Sequence, residues 1–398
     1  MSRLSGRYLF VAAVLLVGIN LRPTMAAIGP LLDAIQQDVG LSDIGASLLT
    51  TLPVALMGVG LLGTTRLKTL LGERRGVALG VVMILLSNVL RWQLPTANWL
   101  LMTAIMGGIG VAIVQALLPI VIRHQAGARA AGLMGVYSTA IMGGALLSGT
   151  ASPWIAQAFG WPLALGIWAL PALIGSIVWW GATNAADIVP DAAQRRSVSR
   201  EPRAWLLLAF FGLGTGAYTL VLAWLPPFYT QLGSSAQAAG VMLGVVTMAE
   251  VIAGIAVSFW VGRSADRRPA LFAAIAALFV GLLGLAIAPL SLAWPSAVLA
   301  GLGIGALFPL SLIVAMDHGE TASDAGAIAG FVQGGGYILA AALPLIAGFL
   351  RRSLSDLSPA WWLMAALCLV LGLIAIRLRP GERITFSNRQ KEPSHGLL

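Results

Sequence analysis

Apolar runs long enough to cross a bilayer follow one another along almost the whole chain, separated by short polar connectors. A membrane-spanning helix needs about 20 apolar residues. Such runs lie near 8–30, 44–65, 76–91, 97–122, 131–153 and 162–182, and again near 204–230, 237–262, 270–289, 295–316, 325–350 and 360–378. Backbone inside hydrocarbon must satisfy its own polar groups, so each run is expected to be a helix. The expected fold is an all-α integral membrane protein with twelve transmembrane helices in two six-helix bundles. Residues 1–182 form the N-terminal bundle, 183–203 a cytoplasmic linker, 204–378 the C-terminal bundle and 379–398 a cytoplasmic tail. A water-soluble fold is excluded, because only 10% of the residues are charged where soluble domains carry roughly a quarter.

Basic residues set the orientation. Of the 24 lysines and arginines, Arg91, Arg351 and Arg352 alone fall on one side of the expected topology and Arg22 lies inside a span; all the others fall on the opposite side. By the positive-inside rule that side is cytoplasmic and holds both termini. The net charge of +9 is thus explained by small clusters between spans, with no continuous basic face for nucleic acid. Arg3 and Arg7 precede an apolar run too long for a signal peptide, which is expected to remain as the first span. Trp92, Trp99, Trp154, Trp161, Trp205, Trp294, Trp361 and Trp362 fall at expected span ends, as interfacial anchors do.

The halves resemble each other. Connector 2/3 carries Glu73, Arg74 and Arg75, and connector 8/9 carries Asp266, Arg267 and Arg268, candidates for a cytoplasmic gate. Gly107, Gly108 and Gly110 precede Pro119 in span 4, as Gly301, Gly303 and Gly305 precede Pro309 in span 10. Such repeats are common in transporters. The sequence has no phosphate-binding loop, no HExxH and no GxSxG, so neither ATP hydrolysis nor a familiar hydrolase chemistry is encoded, and no cofactor is expected. The single cysteine, Cys368, lies in an apolar run, so no intramolecular disulfide or metal cluster of thiolates is possible.

Function is carried by polar residues where hydrocarbon penalises them. Arg22 lies near mid-membrane, where an arginine costs about 2.5 to 3.5 kcal/mol even on lenient scales, and must face protein or water. Its planar fork of donors suits a small anion or a carboxylate, which leaves substrate binding and a permanent ion pair both open. Pro23 cannot donate to the carbonyl of Ile19, so span 1 is expected to bend beside the arginine. Asn20 can reach a shared ligand only if that region is distorted. Glu250, with Thr247, Gly254 and Ser258 on its helical face, is the acidic residue nearest the centre of a span. It is a candidate for carrying a coupling proton and, alternatively, for pairing with Arg22. Gln115 in span 4, Tyr218 and Trp224 in span 7, and Gln333 and Tyr337 one turn apart in span 11 are further candidates for substrate contacts, each with interhelical packing as its alternative.

These residues and their order resemble the major facilitator superfamily. More narrowly, Asn20-Leu21-Arg22-Pro23, Thr50-Thr51-Leu52-Pro53, Glu73-Arg74-Arg75, Gln115 to Pro119, Ala223-Trp224-Leu225-Pro226 with Phe228-Tyr229, and Asp317-His318 resemble the cyanate permease and nitroimidazole transporter family. The likeness runs through nearly the whole chain and is greatest to the cyanate permease branch. It implies a multi-pass carrier of the bacterial inner membrane that moves cyanate or a similarly small anion by alternating access. The expected alternative is an exporter of amphipathic drugs such as 2-nitroimidazoles; a channel, a membrane sensor or an intramembrane enzyme fits the duplicated halves and central charges less well.

Overall fold

The computed structural model describes residues 3–182, 198–260 and 266–384. Most of the expected linker, through position 197, and the expected tail from position 385 lie outside the described residues. Among the described residues, twelve helices are long and apolar enough to cross a membrane. In the first half they are span 1 Tyr8–Val39, span 2 Asp43–Leu62, span 3 Glu73–Gln93, span 4 Ala97–Ala126, span 5 Gly132–Phe159 and span 6 Trp161–Ala182. In the second they are span 7 Pro202–Gln231, span 8 Ala236–Trp260, span 9 Arg268–Ile287, span 10 Ala293–Asp317, span 11 Ser323–Leu354 and span 12 Ser358–Arg377. No strand occurs among the described residues. The chain is therefore a multi-pass membrane protein.

Local chemistry sets several span ends. Ser42 caps span 2 by accepting from the Gly45 amide at 3.1 Å. Thr321 and Asp324 form a reciprocal capping box at the head of span 11: the Thr321 hydroxyl accepts from the Asp324 amide at 3.1 Å, and the Asp324 carboxylate accepts from the Thr321 amide at 3.2 Å. Span 1 is broken as Pro23 requires. Its first helix, Arg3–Ile19, ends in a turn over Asn20 to Arg22, and a four-residue helix, Pro23–Ala26, restarts the path before Leu32–Val39. Gly144 of span 5 packs so closely on the Ile19 carbonyl that no Cβ would fit there.

Three residues counted among the outer-side cations and the interfacial anchors are buried instead. Arg91 lies in the last turn of span 3, at the expected end, and is buried. Six of the eight tryptophans at span ends are exposed, but Trp161 and Trp361 are buried. Trp161 donates to Asp38 at 2.9 Å, and Trp361 stacks edge-on against Phe228.

The bundles meet through spans 2 and 11 and through spans 5 and 8. Span 8 touches span 5 where Gly240 abuts Gly149 and Pro153, and Gly244 abuts Thr150. Toward the arginine-rich side, which carries connectors 2/3, 4/5 and 8/9, the packing ends: Gly132 and Gly135 in span 5 and Gly326 and Gly330 in span 11 face open space. On the opposite side the bundles are tied by polar contacts. Thr230 of span 7 donates to Asp33, Arg351 of span 11 reaches Asp33 and Asp43, and Gln237 donates to Gln157 at 3.0 Å. The molecule is closed on one side and open on the other.

Candidate functional site

Between the bundles lies a cavity of about 410 Å³. Arg22 enters it from the break in span 1; span 5 contributes Ser138, Thr139 and Met142, and span 7 contributes Thr215 and Tyr218. Span 8 lines it with Glu250, Gly254 and Ser258, successive turns of one face, and span 10 with Ile304, Phe308 and Pro309. Most of these residues lie in the halves of spans 5, 8 and 10 nearer the arginine-rich side, so the cavity lies on the open side of the contact between spans 5 and 8.

Arg22 is the centre of the site. The break turns its backbone out of the helical ladder, and its side chain is 4% exposed. Its guanidinium stands 5.1 Å over the ring of Tyr218 and lies within the electrostatic reach of Tyr337. Tyr137 of span 5 also lies within its field. Three of the chain's five tyrosines, from three different spans, thus surround one guanidinium. The Tyr137 and Tyr218 hydroxyls and Arg22 Nε are buried with no hydrogen-bond partner among the described residues. A buried donor left unsatisfied is costly; Arg22 and Tyr218 line the cavity and offer their capacity to whatever enters it, whereas Tyr137 and Tyr337 stand behind its wall.

Glu250 faces the same cavity from the other bundle. It feels the charge of Arg22, yet its Oε2 has no partner and the two do not form an ion pair in this conformation. Gly305 of span 10 packs directly on the Glu250 backbone, with no room for a Cβ. The wall behind the carboxylate is therefore closely packed. Arg22 and Glu250 together place one cation and one carboxylate on facing walls of a single cavity.

The other expected residues are distributed more widely. Asn20 sits on the break but donates to the Leu16 carbonyl at 2.7 Å, beside Gly175 of span 6 and away from the cavity. Trp224 is fully buried on the closed side; it donates to the Pro344 carbonyl at 2.9 Å and lies 5.4 Å beneath the Arg351 guanidinium. Gln115 and Gln333 are half-buried in spans 4 and 11, and neither lines this cavity. Tyr137 was not anticipated. Nor was the group on the closed side, where Gln36 donates to Asp43 at 3.0 Å and accepts from Arg351 at 3.5 Å.

The clusters on the arginine-rich side make contacts within their own bundles. Glu73 pairs with Lys68 at 2.7 Å and with His124 Nδ1 at 2.8 Å, and the Arg74 carbonyl accepts from Trp179 at 3.1 Å. Arg75 follows in the first turn of span 3. Across the molecule, Arg267 pairs with Asp317 at 3.2 Å and Arg268 with Asp266 at 2.7 Å. Hydrogen bonds from Arg268 hold the Asp266 carboxyl below the ordinary aspartate range. No group of three or more His, Cys, Asp or Glu side chains suited to a metal occurs among the described residues.

Known proteins share this architecture. The chain is 38% identical over 369 residues to the cyanate transport protein CynX of Escherichia coli (strain K12), covering 92% of this chain and 95% of that protein. It is 29% identical to the 2-nitroimidazole transporter of the same strain, over 93% of this chain and 95% of the relative. Among solved structures it superposes with a TM-score of 0.76 on a bacterial homologue of the human lysosomal transporter Spinster, in an inward-facing conformation, at 15% identity and with 97% and 100% of the two chains covered. A D-xylose-proton symporter gives a TM-score of 0.73 at 18% identity, with 94% and 98% covered. Residues 10–341 match the Major Facilitator Superfamily, and with twelve spans in two bundles around a central cavity, the chain belongs to that superfamily of transporters.

Proposed function

We propose that this protein is a secondary active carrier that moves a small anion, cyanate or one of similar size, across the bacterial inner membrane by alternating access. The observation that carries the reading is Arg22: a buried guanidinium at a helix break, on the wall of the cavity between the bundles, with no carboxylate paired to it. Arginine stays charged at any physiological pH and offers forked donors, so the group it lacks here is an anion. Tyr218 flanks the anion, with Tyr337 and Tyr137 behind the wall. Asn20, Gln115, Gln333 and Trp224 do not contact the cavity in this state, and we assign them to states in which the bundles have moved. The likeness to a cyanate transport protein supports the choice of substrate.

By the positive-inside rule we place the arginine-rich side in the cytoplasm. The open cavity then corresponds to an inward-facing state, with the Glu73 and Asp266 clusters bracing the two cytoplasmic rims. Glu250 supports proton coupling: ionised, it opposes an anion in the shared cavity, whereas protonated it does not, so anion and proton are favoured to enter together. The experiment is entrance counterflow of labelled cyanate in proteoliposomes, wild type against Arg22→Ala at equal reconstitution. Accumulation by wild type alone is the expected result; equal accumulation by the variant rejects Arg22 as the anion site.

A second reading has its own observation. The cavity is far larger than a triatomic ion, and Ile304, Phe308, Leu312 and Ile313 give it an apolar wall on span 10. That wall suits export of amphipathic drugs such as 2-nitroimidazoles. Drug resistance conferred by expression, without cyanate counterflow, would favour export.

A further inference from the structure

Arg91 is buried at 1% exposure in the last turn of span 3, and its hydrogen bonds run to no carboxylate. Nη1 donates to the Thr24 carbonyl at 2.8 Å and Nε donates to the Thr103 hydroxyl at 3.2 Å. The Thr103 hydroxyl in turn donates to the Leu100 carbonyl at 2.9 Å, which seats this side of the fork on span 4. An arginine near a span end usually snorkels toward water, yet this one is turned inward and buried.

The reason is visible in the backbone it reaches. Thr24 lies two residues beyond Arg22, inside the four-residue helix Pro23–Ala26, which is too short to hold itself by its own hydrogen bonds. In a continuous helix the Thr24 carbonyl would accept from the amide of residue 28. Here the Ile28 amide donates to Met25 instead, at 3.2 Å, and Arg91 supplies the missing donor. The strand of chain that carries Arg22 is thus fixed from the side, by a fork anchored on spans 3 and 4.

We infer that Arg91 is a positioning residue: it sets where the Arg22 guanidinium stands in the cavity by holding the broken segment of span 1 through the Thr24 carbonyl. The inference rests on the reading of Arg22 as the anion site, and its first test does not need that reading. Arg22→Cys protein in proteoliposomes is labelled with a positively charged methanethiosulfonate reagent, with and without Arg91→Gln, and the rate is taken on the folded fraction only. The expected change in labelling rate is about threefold or more, because small displacements of a held group are amplified in reactivity. Thr103→Val, which removes one acceptor while leaving Arg91 in place, should shift the rate in the same direction by less, and it serves if Arg91→Gln does not fold. An unchanged rate in the folded variants overturns the inference.

The second measurement is cyanate counterflow in the Arg91 variants with Arg22 intact. A held anion site predicts that Arg91→Gln raises the half-saturation concentration about tenfold at a similar maximal rate per folded molecule, with partial rescue by Arg91→Lys. A merely structural arginine would lower the amount of folded protein and leave the half-saturation concentration alone. A shifted labelling rate with no wild-type counterflow leaves the positioning role standing and rejects cyanate as the substrate.

Discussion

Arg351 of span 11 stands between two carboxylates of the opposite bundle, 3.4 Å from Asp33 and 3.7 Å from Asp43. The ring of Trp224 lies beneath it and Thr230 also donates to Asp33, so one cation gathers most of the polar closure on the side away from the cavity mouth. The pairs are partly solvated, and each is worth about 1 kcal/mol or less. That is enough to bias two states without freezing one.

Charge exchange tests this closure. Arg351→Asp and Asp33→Arg should each lower the counterflow rate about fivefold, and the double exchange should recover much of the loss. Defects that simply multiply would show that the pair does not couple the bundles.

Glu250→Gln separates proton coupling from exchange. Uptake driven by an imposed pH gradient should be lost, while counterflow, which needs no net proton movement, should continue. Loss of both activities in a folded variant would assign Glu250 a structural role.

The tyrosines around Arg22 are distinguished by their partners. Tyr337→Phe removes a hydroxyl close to the guanidinium and should raise the half-saturation concentration about two- to tenfold. Tyr137→Phe removes a hydroxyl with no partner among the described residues, so the thermal midpoint in detergent should stay level or rise. A weaker affinity in that same variant would identify a direct substrate contact.

Much of the site could be read before any geometry was known, because hydrocarbon makes certain residues conspicuous. Pro23 announces the break by its missing N–H, and Arg22 and Glu250 announce a protein-facing or wet surface by their charge; the structure puts both charges on one cavity. Residues whose role depends on how a span is rotated were not legible in this way. Asn20 is next to the break, yet its amide turns toward span 6, and Tyr137 reads in sequence like any aromatic in a membrane helix. Arg91 and Arg351 were masked by the rule that exposes cations: near span ends they count as loop charges, although one is buried and the other bridges the bundles.

Packing at the break makes a separate prediction. Gly144→Val should prevent proper assembly, since the Ile19 carbonyl occupies the space its side chain needs, whereas Gly135→Ala, facing open space, should leave the stability within about 0.5 kcal/mol of wild type. Equal losses from both would contradict the packing described for span 5.

The contact of Gly149 and Pro153 with Gly240 has a mechanical meaning. Under the proposed alternating access it serves as a fulcrum set toward one end of two long levers. From Gly149 to Gly135 is about 20 Å of helix at 1.5 Å per residue, so a tilt of a few degrees about these small residues moves the cavity mouth by ångströms and the pivot hardly at all. Spectroscopic probes paired across spans 5 and 8 should therefore report large distance changes near Ser138 and Ser258 and almost none near Gly149 and Gly240, a gradient that marks rocking and excludes a parallel sliding of the bundles.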